Sequence, residues 1–347
     1  MTSTSVGRHP TAFQETGLPI LRVALDVDLM GPVLAPLLAP LSRPGETPDL
    51  RYARLVAYKK GHRGTIEYEV TLGGRPVTVL GKFYPQPAQV GRVDAILRDL
   101  WGDVFANHTE LGVPRPLGGV LDLSMLVYVP VEGTPLDEVI LETGPAEGVR
   151  HAAEWLARLH AARIQLDRRV QITTEIANLE AWAAVVTRTE PQQGAVAEAL
   201  ARDLARRVDV VRLAAESATS PVHKDFHYKH VLAGTGARVI DFDEVRYGDP
   251  MYDVAHFGAH LRLLGCRNPE AAGRVEAAEQ LFLDSYARAT GRPIGPTFAW
   301  YATYTCVKIA KQLCSVRGVR PRPDGEETRR QLTAMLEQGV AFRATVG

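Results

Sequence analysis

Cysteine is scarce in this chain of 347 residues: Cys266, Cys306 and Cys314 are the only three. Three scattered thiols cannot build a disulfide framework, and with no Cys-x-x-Cys among them a structural zinc site is disfavoured too. An excess of one charge is also missing. Lys plus Arg (40) balances Asp plus Glu (40), so a chain that binds by neutralising many phosphates is disfavoured. Long apolar runs are lacking. The most apolar early stretch, Met30 to Leu41, is broken by Pro32, Pro36 and Pro40 and covers about twelve residues, where a spanning helix needs about 20. The N-terminal MTSTSVGRHPTAFQETG has no apolar core of signal-peptide length. These absences set the expectation of a cytoplasmic, reduced protein with no membrane or nucleic-acid partner. What is present is ordinary for a folded chain, 46% hydrophobic and 23% charged, and long enough for about two domains.

The texture of the chain changes twice. After a polar tail and a short helix expected near Asp26 to Leu41, residues Arg51–Lys59, Gly64–Leu72 and Pro76–Tyr84 are short runs rich in Val, Tyr and Thr. Gly73-Gly74 between the last two is a strong hairpin signal. A helix is expected around Gly91 to Phe105 from the spacing of Val93, Ile96, Leu97 and Leu100, followed by strands at Gly118–Val120 and Ser124–Val129. Beyond Gly133 the chain is helical and rich in Ala, Leu and Arg, with one strand-like island at Val231 to Phe242. The expected division is an N-terminal extension over 1–50, a β-rich lobe over 51–129 and a helical lobe over 130–347.

The chemistry concentrates in VHKDFHYKHVLAGTGARVIDFDEVRYGDPMYDVAHF, residues 222 to 257. Asp225 stands in a loop two residues after His223, and Asp241 ends a mostly apolar strand after a tight turn. Two acids on neighbouring loops can divide the work of phosphoryl transfer, one taking the proton of an attacking hydroxyl and the other holding the metal that bridges the phosphates. Hydrolases use carboxylate pairs as well, so the pair alone leaves the reaction open.

The order His-x-Asp, then Val-Ile-Asp-Phe-Asp, then Tyr-Gly-Asp-Pro-x-Tyr-Asp-Val-Ala resembles the aminoglycoside phosphotransferase and choline kinase superfamily. The resemblance implies an α+β, protein-kinase-like fold, with a small antiparallel sheet and one helix ahead of a large helical lobe. By the same resemblance Asp225 is the catalytic base and Asp241 the metal-binding acid, with Asp243 a further metal candidate. Asp249 and Asp253 match the Gly-Asp-Pro-x-x-Asp pattern and are expected to cap a helix and hold the catalytic-loop backbone, while His223 orients that loop. Lys82, near the end of Val77-Thr-Val-Leu-Gly-Lys82, takes the place of the lysine that pairs with the α- and β-phosphates. The turn with Gly61, Arg63 and Gly64 would cover the phosphates, although it is neither GxGxxG nor Walker A. The Val129 carbonyl and Val131 amide would meet adenine, with Pro130 between them lacking an amide. His160 in Leu-x-x-Leu-His reads as a packing residue.

The chain departs from the pattern twice. His230 stands where the family has a metal-binding Asn, and imidazole suits softer ions than Mg2+. No glutamate is placed to pair with Lys82, which leaves Asp94 on the expected helix as the candidate. Lys308 and Lys311 read as an exposed polar stripe or as cations at the acceptor cleft, and His227 as a solvated loop residue or a group that reaches the transferring phosphate. The expected activity is ATP- or GTP-dependent transfer of a γ-phosphoryl group to a hydroxyl of a small molecule, which could be an antibiotic or a sugar-like metabolite. Mg2+ is the expected cofactor, with Mn2+ as its alternative, and the chain is expected to be a monomer or homodimer. The other readings are a non-catalytic pseudokinase and a nucleotidyl transferase on the same fold.

Overall fold

The computed structural model describes residues 20–59, 63–144, 147–315 and 325–346. The chain divides into two compact units. One comprises the described residues up to Asn107 with Val113–Glu132; the other comprises His108–Gly112 and Gly133 onward.

The first unit is built on an antiparallel sheet in the order β1-β2-β3-β6-β5. Its strands are β1 (Asp49–Lys59), β2 (Arg63–Leu72), β3 (Arg75–Phe83), β5 (Arg115–Val120) and β6 (Met125–Val129). Gly73 and Gly74 turn β2 into β3 with φ of 54° and 81°, and a two-residue hairpin turn with both φ positive favours glycine. The buried face of β2 carries Ile66, Tyr68, Val70 and Leu72. Short α1 (Ile20–Ala24) and α2 (Val27–Leu38) precede the sheet. Asp26 caps α2 by accepting from the amides of Asp28 and Leu29. Met30, Leu34 and Leu38, from the stretch read as an extension, join the sheet's own core. The Tyr68 hydroxyl, buried under the sheet, donates to the Ala24 carbonyl at 2.8 Å.

Helix α3 (Pro87–Asp99) presents Val90, Val93, Ile96 and Leu97 to this unit's interior. It starts earlier than the apolar spacing suggested because Pro87 suits a first helical turn. Its end widens into a π-turn over Leu100–Val104.

The second unit is helical. Helices α4 (Leu136–Thr143), α5 (Glu147–Ala161), α6 (Ile172–Thr189), α7 (Pro191–Arg206), α8 (Asp209–Glu216), α9 (Met251–Arg267), α10 (Ala272–Thr290), α11 (Thr297–Cys314) and α12 (Gly325–Arg343) follow in order. Helix α11 is apolar almost all round and packs against α6, α9 and α12, as expected of a helix sequestered from water. Two small sheets interrupt the helices. One has the order β4-β10-β9-β7, formed by Leu111–Gly112, Ala237–Val239, Val231–Ala233 and Thr134–Pro135; the other pairs β11 (Arg246–Tyr247) with β8 (Pro221–Val222). Among the described residues no helix is long and apolar enough to cross a membrane.

Candidate active site

The small sheets of the second unit fix the two acids. Strand β8 leads directly into His223-Lys224-Asp225, and the loop closes on β9 just after His230. Strand β10 then delivers Ile240 and Asp241. The two segments are tied by backbone: the Ile240 amide donates to the His230 carbonyl at 3.0 Å, and His223 Nε2 lies 3.1 Å from the Ile240 carbonyl. A carbonyl only accepts, so His223 carries its proton on Nε2.

Asp253 holds the loop from beneath. Its carboxylate accepts from the amides of His223 (2.6 Å) and Lys224 (2.7 Å), and its Oδ2 also meets His160 Nε2 at 3.1 Å. His160 in turn reaches the Tyr286 hydroxyl at 2.7 Å, so this histidine belongs to the support of the loop as well as to the packing. Asp249 accepts from the amide of Met251, the first residue of α9, at 3.0 Å. Lys224 is buried against Glu175 at 2.8 Å, and burial pulls its ammonium below the usual lysine range, opposed by the Glu175 charge.

Backbone strain sits at the same place. Among the described residues three non-glycines have positive φ, and two of them are Lys224 (67°) and Asp241 (70°). Such conformations cost about 1–3 kcal/mol each and persist where the surroundings over-determine them. Here they aim the side chains on either side of the loop.

Asp225 is ringed by basic groups. Its Oδ1 lies 3.3 Å from Lys308 Nζ and 3.4 Å from His256 Nε2. Its Oδ2 is 3.9 Å from His230 Nδ1 and 4.0 Å from His227 Nε2. Burial would raise its pKa, but Lys308 and the His256 contact outweigh that and hold the carboxyl well below the usual carboxylate range. The histidines respond in the opposite sense. Burial, reinforced by neighbouring cations, drives His227 and His260 well below the usual imidazole range and His256 down to about 3. At neutral pH the site is therefore an ionised carboxylate beside Lys308, with His227, His256 and His260 neutral around it.

His230 is oriented as a ligand. Its Nδ1 lies 2.9 Å from the backbone carbonyl of Asp225, which places a proton on Nδ1 and makes Nε2 the nitrogen that can ligate. That nitrogen faces Asp241 Oδ2 at 3.5 Å. Metal-binding histidines usually donate their other N–H to such a carbonyl, and two donors 3.5 Å apart can share one ion at bonds of about 2.1 Å. Asp243 lies on the loop between β10 and β11, where its carbonyl accepts from Arg168 at 2.6 Å.

The remaining candidates belong to the first unit. Lys82 stands on β3, flanked by Thr65 of β2 and Leu126 of β6, with its ammonium 5.4 Å from the centre of the Tyr84 ring. The residue before it must be small: a Cβ on Gly81 would meet Met125 Sδ at 2.6 Å and the Tyr68 ring at 2.8 Å. Asp94 Oδ2 accepts from Arg98 at 2.8 Å, and its Oδ1 is buried with no hydrogen-bond partner among the described residues. Arg63 and Gly64 open β2, whereas Gly61 lies outside the described residues. Val129 ends β6 and Val131 follows in the segment without regular structure.

Three residues here gain a place that the sequence left open or did not give them. Lys308 lies on α11, 83 residues from Asp225, and its spacing with Lys311 equally suits an exposed stripe. His256 and His260 sit one turn apart on α9 with rings 4.5 Å apart, a pattern visible in MYDVAHFGAH had the helix face toward the loop been known.

The family model for the phosphotransferase enzyme family matches residues 58–294, well over half of the sequence. The chain belongs to that family. Solved structures agree on the fold. A protein assigned to the aminoglycoside phosphotransferases from Ralstonia eutropha JMP134 aligns with a TM-score of 0.63 at 16% identity, covering 93% of this chain and 99% of the other. Choline kinase from Cryptosporidium parvum Iowa II gives a TM-score of 0.59 at 12% identity, covering 91% and 96%. The amicoumacin kinase hAmiN, solved with AMP-PNP, Ca2+ and Ami, gives 0.56 at 14% identity over 86% and 90%. The fold is thus protein-kinase-like, as the motif order implied. No curated protein matches the chain.

Proposed function

We propose that this protein transfers the γ-phosphoryl group of ATP or GTP to a hydroxyl of a small molecule. The observation that carries the reading is the pair Asp225 and Asp241, on two segments tied by the Ile240 amide to the His230 carbonyl, with Asp225 held ionised beside Lys308. An ionised carboxylate with one oxygen facing Lys308 and His256 and the other facing the loop imidazoles can accept the proton of an incoming hydroxyl while orienting it. General-base assistance of this kind is worth about 10²–10⁴-fold, and the rest of the rate would come from positioning and charge.

The donor set fits a divalent ion: Asp241 Oδ2 and His230 Nε2 would hold it, with Asp243 nearby in sequence. When bound, such an ion neutralises phosphate charge. Imidazole in place of an amide oxygen favours Mn2+ relative to Mg2+. In the first unit Lys82 would pair with the α- and β-phosphates, Asp94 would steady Lys82, and the turn at Arg63 and Gly64 would cover the phosphates. Val129 and Val131 would meet the base. The solved relatives with AMP-PNP or with choline-kinase and aminoglycoside-kinase names support a small-molecule acceptor as the class. Antibiotic modification is one use of that class.

The test is ADP release on a panel of hydroxyl compounds (aminoglycosides, amino alcohols, sugars) with Mg2+ or Mn2+. Wild type should release ADP with at least one acceptor, and Asp225→Asn should lose about 10²-fold or more while still binding nucleotide. An Asp225→Asn variant as active as wild type sinks the assignment of the base. Release of pyrophosphate would instead mean nucleotidyl transfer.

A further inference from the structure

Asp225, His227 and His230 each offer a ligand atom, and these atoms lie within 4.8 Å of one another. Two imidazoles and one carboxylate on a single turn form a donor set suited to zinc-like ions and poorly suited to Mg2+. The set does not stand alone. His256, fully buried, points Nε2 toward Asp225 Oδ1 at 3.4 Å and has no hydrogen-bond partner there. His260, also buried, stacks on His227 with ring centres 4.8 Å apart, and its Nε2 is likewise unpartnered. A nest of buried imidazoles with orphaned nitrogens is costly unless something engages them.

We propose that the turn bearing Asp225, His227 and His230 is a binding site for a zinc-like divalent transition ion, distinct from the Asp241–His230 position. Tetrahedral bonds of about 2.0–2.2 Å put neighbouring donors about 3.3 Å apart, so the three groups must draw together by up to about 1.5 Å. The turn allows this through its least committed contact. His227 Nδ1 accepts the Lys229 amide at 3.2 Å, a long bond that leaves the neutral ring's proton on Nε2, facing Asp225. Coordination through Nε2 moves that proton to Nδ1 and gives up the Lys229 bond. His230 would bind through Nδ1, the nitrogen 3.9 Å from Asp225 Oδ2, passing its proton to Nε2 and giving up its bond to the Asp225 carbonyl. Occupancy would take the Asp225 carboxylate and His230 together, so on the phosphotransferase reading the ion would act as an inhibitor. Binding itself does not depend on that reading.

The experiment is calorimetric titration of the nucleotide-free protein with ZnCl2 in buffer containing millimolar Mg2+, on wild type, His227→Ala, His230→Asn and the exposed-site control His108→Ala. One zinc per chain is expected for wild type and control, with affinity at least tenfold weaker in each of the other two. Zinc-edge X-ray absorption on wild type should count two imidazoles, a readout that does not require any variant to fold. No stoichiometric zinc, undiminished affinity in either variant, or fewer than two imidazoles overturns the proposal. Each of those results leaves the ADP-release test untouched.

Discussion

At the scale of single residues, His230 is where this chain differs most from the family pattern, and its geometry makes the difference testable. With Nδ1–H committed to the Asp225 carbonyl, Nε2 is available toward Asp241, so the substitution of imidazole for amide changes the ligand and keeps a donor in place. Replacing His230 by Asn should shift the metal preference of phosphoryl transfer toward Mg2+, raising the Mg2+/Mn2+ activity ratio about tenfold. Steady-state rates in the two metals check this, and an unchanged ratio means that His230 does not touch the ion. The sequence marks Asp225, Asp241 and His230 as candidates through motif spacing along residues 222 to 257, and Lys82 through its place near the end of a strand. Lys308 it left between two readings. Its role depends on which way α11 faces, and a lysine three residues from another on an apolar helix looks the same whether it meets solvent or a carboxylate. The histidines of α9 were hidden for the same reason.

At the scale of elements, the loop bearing Asp225 is held by a carboxylate from the helix that follows it. Asp253, fully buried in the first turn of α9, accepts two loop amides and meets His160. Asp253→Ala would leave two buried N–H groups without acceptors, at a cost of about 2–5 kcal/mol. Urea unfolding should show that loss together with weaker transfer activity, and a loss below about 1 kcal/mol would mean that the loop finds other partners. Most elements could be read in advance, because hydrophobic spacing and the Gly73-Gly74 turn declare them. The misses have local causes. The stretch Gly194 to Ala215 reads as one helix but breaks into α7 and α8 near Arg207 and Val208. Helix α4 is too short for its periodicity to stand out, and the two-residue strands β8 and β11 exist only because each pairs with the other. Pairing of that kind is set by tertiary structure and leaves no pattern in two residues.

At the scale of the whole molecule, balanced charge leaves the buried histidines as the groups that tie stability to mild acid. His223, His227, His256 and His260 all have pKa values below the ordinary imidazole value, chiefly through burial. In the unfolded chain they take up protons near pH 6.5, while the folded protein resists. Their contribution is therefore complete above about pH 6.5–7 and is lost progressively as pH falls below that. Urea midpoints measured from pH 7.5 to 5.5 should fall steadily, and His260→Gln should flatten the slope. A stability independent of pH over that window would contradict the burial of these rings.

The family assignment covers the chain from residue 58 to 294, but at 12–16% identity the solved relatives fix the fold alone. The central claim, that Asp241 belongs to a metal-dependent nucleotide site, is best tested by thermal unfolding with ATP or GTP, with and without Mg2+ or Mn2+, on wild type and Asp241→Ala. Nucleotide at about a hundred times its dissociation constant should add about 2.7 kcal/mol of stability. A metal-dependent rise in Tm for wild type that disappears in a folded Asp241→Ala is the predicted result. No rise with either nucleotide and either metal, or a rise of the same size in Asp241→Ala, would contradict it.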